Sequence, residues 1–253
     1  MKNALIYLLV FAAIQIGCAA GVQLLWPKIT GSPDITPMML VVMSALGSVV
    51  AGVVFVLARW SAMSRGYIRS RQWAVLLWAG VAAAGAIIPS AWLQEQLPEL
   101  PNWVEGQFDM ILRDRWGYVA VGLLAPLVEE MVFRGAILRS LLSTMSRPWA
   151  AVAVSAVLFA LFHANPAQMP HALLVSLLLG WMYMRTGSIV PGVAYHWVNN
   201  TIAYVMYNVM PNPDAPLQEL FGSTQRVLMA VGFSLLILLP ALLQLNMGMK
   251  KSL

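Results

Sequence analysis

Ionised side chains are scarce in this sequence. Charged residues fill only 10% of its 253 positions, and 60% are hydrophobic, whereas an ordinary soluble domain carries roughly 25% charge. A water-soluble fold would have nowhere to hide so much apolar surface. Cysteine is nearly missing: the single Cys18 excludes an internal disulfide and any cysteine-rich metal knuckle. No basic stripe with interleaved aromatics occurs, so the formal net charge of +5 does not describe a nucleic-acid surface. HExxH, the strong zinc-protease signal, is absent too, as are internal repeats and low-complexity tracts.

Long, largely apolar runs take the place of these features. Eight stand out, at residues 4–26, 38–58, 73–93, 116–142, 149–162, 171–184, 189–207 and 227–245, and about 20 apolar residues are what a helix needs to cross the hydrocarbon of a bilayer. The fifth and sixth are short for a full crossing and require tilt or shielding inside a bundle. The first outlasts an ordinary signal core, so it is expected to remain as a transmembrane helix. With a cytoplasmic N-terminus and eight crossings, Lys2, Arg59, Arg65, Arg69, Arg71, Arg139, Arg147, Arg185, Lys250 and Lys251 share the cytoplasmic side. Lys28, Arg113, Arg115 and Arg226 lie opposite, beside Asp34, Glu95, Glu99, Glu105, Asp109, Asp114, Asp214 and Glu219. That is the positive-inside asymmetry.

The expected fold is therefore all-α: a polytopic integral membrane helical bundle of about eight transmembrane helices with both termini cytoplasmic. Residues 1–115 hold the N-terminal spans and a polar connector, 116–208 a core, and 209–253 a C-terminal loop and last span. The connector at 94–115 reads as exposed and partly amphipathic, with nothing catalytic in it. His171, beside Pro170 at a span start, reads as interfacial. Gly180 and Gly187 permit close approach and a tight link, and Arg185 is expected to anchor that link at the headgroups.

Glu129, Glu130 and Arg134 fall inside the fourth run, where ionised groups cost several kcal/mol each and so face the protein interior in pairs. Glu130 and Arg134, four apart, share a helix face and suit an ion pair. Glu129 points about 100° away, with Phe133 as its neighbour four residues on, and is left as the carboxylate free to act as a general base. The plainer account is a buried staple between helices. His163 ends the fifth run on the same face as Phe159, while His196 and Asn200 share a face of the seventh. Counted from the cytoplasmic span ends at 1.5 Å per residue, Glu129, Glu130 and His163 lie roughly 20 Å deep, Asn200 about 17 Å, and His196 and Arg134 about 11 Å. Three helices thus bring polar groups into one middle layer, which independent stapling would not require.

These residues carry a resemblance. EEMVFR at 129–134, FALFH at 159–163 and HWVNN at 196–200 are similar to the EExxxR, FxxxH and HxxxN motifs of the CPBP family of intramembrane proteases. That family includes CAAX prenyl endopeptidases and bacterial members linked to bacteriocin processing or self-immunity. The likeness runs from about residue 119 to 207. It implies an intramembrane endopeptidase acting on a membrane-associated, prenylated or bacteriocin-like substrate in a cell membrane, taken as a bacterial inner membrane. It further implies that Glu129 with His163 activates water, that Glu130 pairs with Arg134, that His196 and Asn200 stabilise the oxyanion, and that Phe159 lines the cavity. No cofactor is expected; a divalent metal such as zinc, held by two histidines and a carboxylate, is the alternative. The competing functions are a proton-coupled transporter and a non-enzymatic immunity or scaffold protein.

Overall fold

The computed structural model describes residues 2–61, 64–69, 72–213 and 215–249. Arg71, Asp214, Lys250 and Lys251, which enter the charge asymmetry, lie outside the described residues, as does the side chain of Arg65. No strand occurs among the described residues. In order they form α1 (Lys2–Thr30), α2 (Pro37–Leu57), α3 (Arg65–Arg69), α4 (Trp73–Glu95) and α5 (Glu105–Arg113). A continuous helix over 118–144 follows, made of a wide π segment (Tyr118–Leu124), α6 (Ala125–Val132), a second π segment (Phe133–Leu138) and α7 (Arg139–Thr144). The chain ends with α8 (Pro148–Phe162), α9 (Met169–Thr186), α10 (Val190–Val209), α11 (Leu217–Phe221) and α12 (Thr224–Gly248).

The eight apolar runs all fall on helices, to within two residues at their ends. Helix starts follow from local chemistry. Proline opens α2 and α8, where its missing N–H costs nothing. The Thr36 hydroxyl accepts from the Met39 N–H, and the Ser223 hydroxyl from the Arg226 N–H. Helix α9 stops at Gly187, whose φ of 67° is the left-handed cap glycine tolerates best.

Helices α1, α2, α4 and α12 are long and apolar enough to cross a membrane by length and composition. The chain is an all-α polytopic membrane bundle. Large apolar side chains such as Leu9, Ile16, Phe233 and Leu236 point outward from α1 and α12, as they must where the solvent is lipid. The other helices are shorter or more polar: α8 has 15 residues, while α9 has 18 and outruns the stretch expected from the sequence at both ends.

Packed clusters hold the helices in place, and the two largest flank the later helices. An aromatic one joins α1, α8 and the 118–144 helix, with Phe11 stacked on Phe162 at 4.5 Å and Phe133 edge-on to Phe159 at 4.9 Å. The second packs α4 against α9, α10 and α12 through Ala79, Ala82, Leu179, Tyr195 and Leu245. Gly85 lets α4 come so near α12 that a β-carbon there would lie 2.9 Å from the Leu238 backbone nitrogen. Gly180 likewise admits the Val152 side chain of α8, to within 2.8 Å of where its β-carbon would be. Both terminal guanidinium nitrogens of Arg185 donate to Asn246, tying the end of α9 to the end of α12.

Candidate active site

The site begins with a proline. In the π segment the Ala125 N–H bonds the Ala120 carbonyl, five residues back. The next bond of that series would run from residue 126 to Val121, but Pro126 has no N–H to give. The orphaned Val121 carbonyl is satisfied from another helix, where the Asn200 amide donates to it at 2.8 Å. Tyr118 adds a second tie, its hydroxyl accepting from the Trp197 indole and lying 3.0 Å from the Thr201 hydroxyl. These bonds set the register between α10 and the carboxylates of α6.

Glu130 is completely buried and its Oε1 accepts from Arg134 Nη1 at 2.7 Å, Arg134 being 1% exposed. The Arg134 guanidinium lies over the Phe159 ring, 4.7 Å from its centre. Glu130 Oε1 also accepts from His196 Nδ1 at 3.2 Å. Its other oxygen, Oε2, has no hydrogen-bond partner among the described residues and rests against Gly192, where an added β-carbon would sit 2.6 Å from it. Gly192→Ala is therefore expected to push Glu130 off both its partners, costing about 1–3 kcal/mol of stability as overpacking does. A thermal unfolding scan of the detergent-solubilised variant checks this.

Glu129 faces the other way. Its side chain is 20% exposed and opens on a cavity of about 500 Å³, whose wall also includes Phe159, His163, His196 and Asn200. The histidine within reach of Glu129 is His196, with Nε2 3.8 Å from Glu129 Oε2. The His163 ring lies across the Phe159 ring at 4.8 Å, and its Nδ1 is 2.9 Å from the Phe159 carbonyl. A carbonyl can only accept, so Nδ1 carries the proton and Nε2 keeps a free lone pair when the ring is neutral. Every residue singled out from the sequence thus reaches the cavity, apart from Glu130 and Arg134, which lie buried behind Glu129.

Three further parts of the wall escaped the sequence reading. His171 lines the cavity rather than an interface. Asn199 lines it too and donates to Asn200 Oδ1 at 3.3 Å. The connector is no loose loop: α5 turns Phe108, Ile111 and Leu112 into the cavity. Two tethers hold it there. On one side the Asp109 carboxylate takes the Tyr207 hydroxyl, and the Leu112 carbonyl takes the Asn208 amide. On the other, buried Asn165 accepts from the Trp103 N–H and donates to Asn102. The apolar spacing of Phe108, Ile111 and Leu112 was the available signal.

Among the described residues no three His, Cys, Asp or Glu side chains converge as ligands for one metal ion. The chemistry below is built on the chain's own acids and bases. Residues 112–202 match the family model described as Rce1-like, type II CAAX prenyl endopeptidase. The matched stretch contains every candidate site residue. No curated protein and no solved structure matches the chain.

Proposed function

We propose that this chain, a peptidase carrying an Rce1-like domain of the CAAX prenyl endopeptidase family, hydrolyses a peptide bond of a membrane-associated substrate with water activated by Glu129. The observation that supports this is the division between adjacent carboxylates. Glu130 is locked in a buried ion pair, while Glu129 opens on a cavity shared with two motif histidines and Asn200.

Water held between Glu129 and the free Nε2 of His163 gives its proton to the Glu129 carboxylate as its oxygen adds to the scissile carbonyl carbon. The oxyanion that forms needs donors already in place. Asn200 commits one amide hydrogen to Val121 and keeps the other for this purpose. His196, held at Nδ1 by Glu130, turns Nε2 toward the cavity beside Glu129 as the second group of the oxyanion site. As the tetrahedral intermediate collapses, the C–N bond breaks and Glu129 returns its proton to the departing amine.

We assign this chemistry to a core over residues 116–208, in a cell membrane and, by the family's bacterial branch, a bacterial inner membrane with both termini cytoplasmic. The substrate class is a short or lipid-modified peptide, prenylated or bacteriocin-like. Purified protein in proteoliposomes, offered membrane-bound peptides with and without an isoprenyl chain, is expected to release cleaved product. His163→Ala should lower kcat by about 10²-fold, the scale of misplacing the attacking water. Cleavage that survives both this substitution and Glu129→Gln would reject the assignment, and uptake driven by a pH gradient without peptide products would favour a transporter.

A further inference from the structure

Ser176, on α9, belongs to none of the three motifs, yet it holds the far end of the buried network. Its hydroxyl accepts from Arg134 Nη2 at 2.7 Å and its backbone carbonyl accepts from the same nitrogen at 3.2 Å. Ser176 is 1% exposed, so no water competes for these bonds. From it a chain of contacts runs through Arg134 Nη1 to Glu130 Oε1, on to His196 Nδ1, and from His196 Nε2 to the cavity beside Glu129.

One detail makes this chain directional. Arg134 and His196 both bond the same Glu130 oxygen, and the second oxygen has no hydrogen-bond partner among the described residues. A guanidinium that swings therefore carries away the acceptor that orients His196. Among the described residues Arg134 Nε also lacks a hydrogen-bond partner, so Glu130, Ser176 and the Phe159 ring hold the planar head. Of these, Ser176 is the contact from α9, and it fixes the guanidinium against rotation about its bond to Glu130.

We propose that Ser176 is a positioning residue for peptide hydrolysis: it clamps Arg134 so that Glu130 Oε1 holds His196 with Nε2 toward the reacting centre. This rests on the peptidase reading above. It acts on the transition state through His196 and touches no substrate, so its loss belongs in kcat. In proteoliposomes Ser176→Ala is expected to lower kcat about tenfold, the scale of a small misplacement of a reacting group, with KM within about twofold of wild type. Ser176→Thr, which keeps the hydroxyl, should recover most of the rate. In an Arg134→Lys background, Ser176→Ala should add no further loss, because the two residues act as one unit.

A second measurement needs no turnover. In ¹⁵N-histidine-labelled protein the His196 Nδ1–H, bonded to Glu130, should give a downfield proton resonance that Ser176→Ala shifts upfield or loses to exchange. Unchanged kcat with an unchanged resonance would overturn the proposal, as would a loss confined to KM or an equal loss in Ser176→Thr. If the wild type cleaved no peptide, the peptidase reading would fail while the resonance still decided whether Ser176 orients His196.

Discussion

Glu129→Gln is expected to lower kcat by about 10³–10⁴ while leaving the protein folded. The substitution keeps the size of the side chain and its place in α6, and removes only the ability to take a proton from water, a function worth up to about 10⁴ in rate. Stability should change little because the carboxylate is only partly buried and its contact with His196 Nε2, at 3.8 Å, is beyond a hydrogen bond. A change under about 1 kcal/mol in thermal unfolding is the expected signature. Steady-state cleavage of a membrane-bound peptide, run beside an unfolding scan, separates the two quantities. A variant within tenfold of wild type would remove Glu129 from the chemistry.

The neighbouring pair should behave in the opposite way. Arg134→Ala leaves the Glu130 carboxylate at zero exposure with His196 as its one hydrogen-bond partner among the described residues, and opening a buried ion pair from one side costs about 3–5 kcal/mol. It also strips the cation from the face of Phe159 and the donor from Ser176. Poor folded yield and an early thermal transition in detergent are expected. Replacing both members together, as Glu130→Met with Arg134→Met, removes the orphaned charge and should recover much of that stability. Activity should stay absent, because His196 has then lost its acceptor. Equal stability of the single and double variants would show that the pair does not matter to the fold.

Part of this site was legible in the sequence because its chemistry is local. The four-residue spacing of Glu130 and Arg134 already specifies a shared face, and the structure places them 2.7 Å apart. The split between Glu130 and Glu129 followed from the same geometry, and depth alone brought three helices to one layer. Other contacts resisted because they join elements far apart in the chain. Ser176 sits among apolar residues with no motif around it, and its value appears only once α9 lies against Arg134. The bond from Asn200 to Val121 needs both a widened helical turn and a proline five residues on. His171 looked interfacial because Pro170 marked a helix start, and position in a helix does not say which side of it faces a cavity. In the connector, its five carboxylates drew attention away from the apolar stripe on α5 that closes over the cavity.

The placement of Glu130 and Arg134 on one helix also bears on biosynthesis. In the proposed eight-span bundle, a chain made from its N-terminus delivers residues 118–144 to the bilayer before Ser176, His196 or Asn200 has been synthesised. A carboxylate that depended on α9 or α10 for its counter-charge would enter hydrocarbon alone. Because Arg134 lies one turn from Glu130 and bonds it directly, this segment arrives with that charge already cancelled and can wait for its partners. The later helices then complete an arrangement whose most costly element was neutral at the moment of insertion.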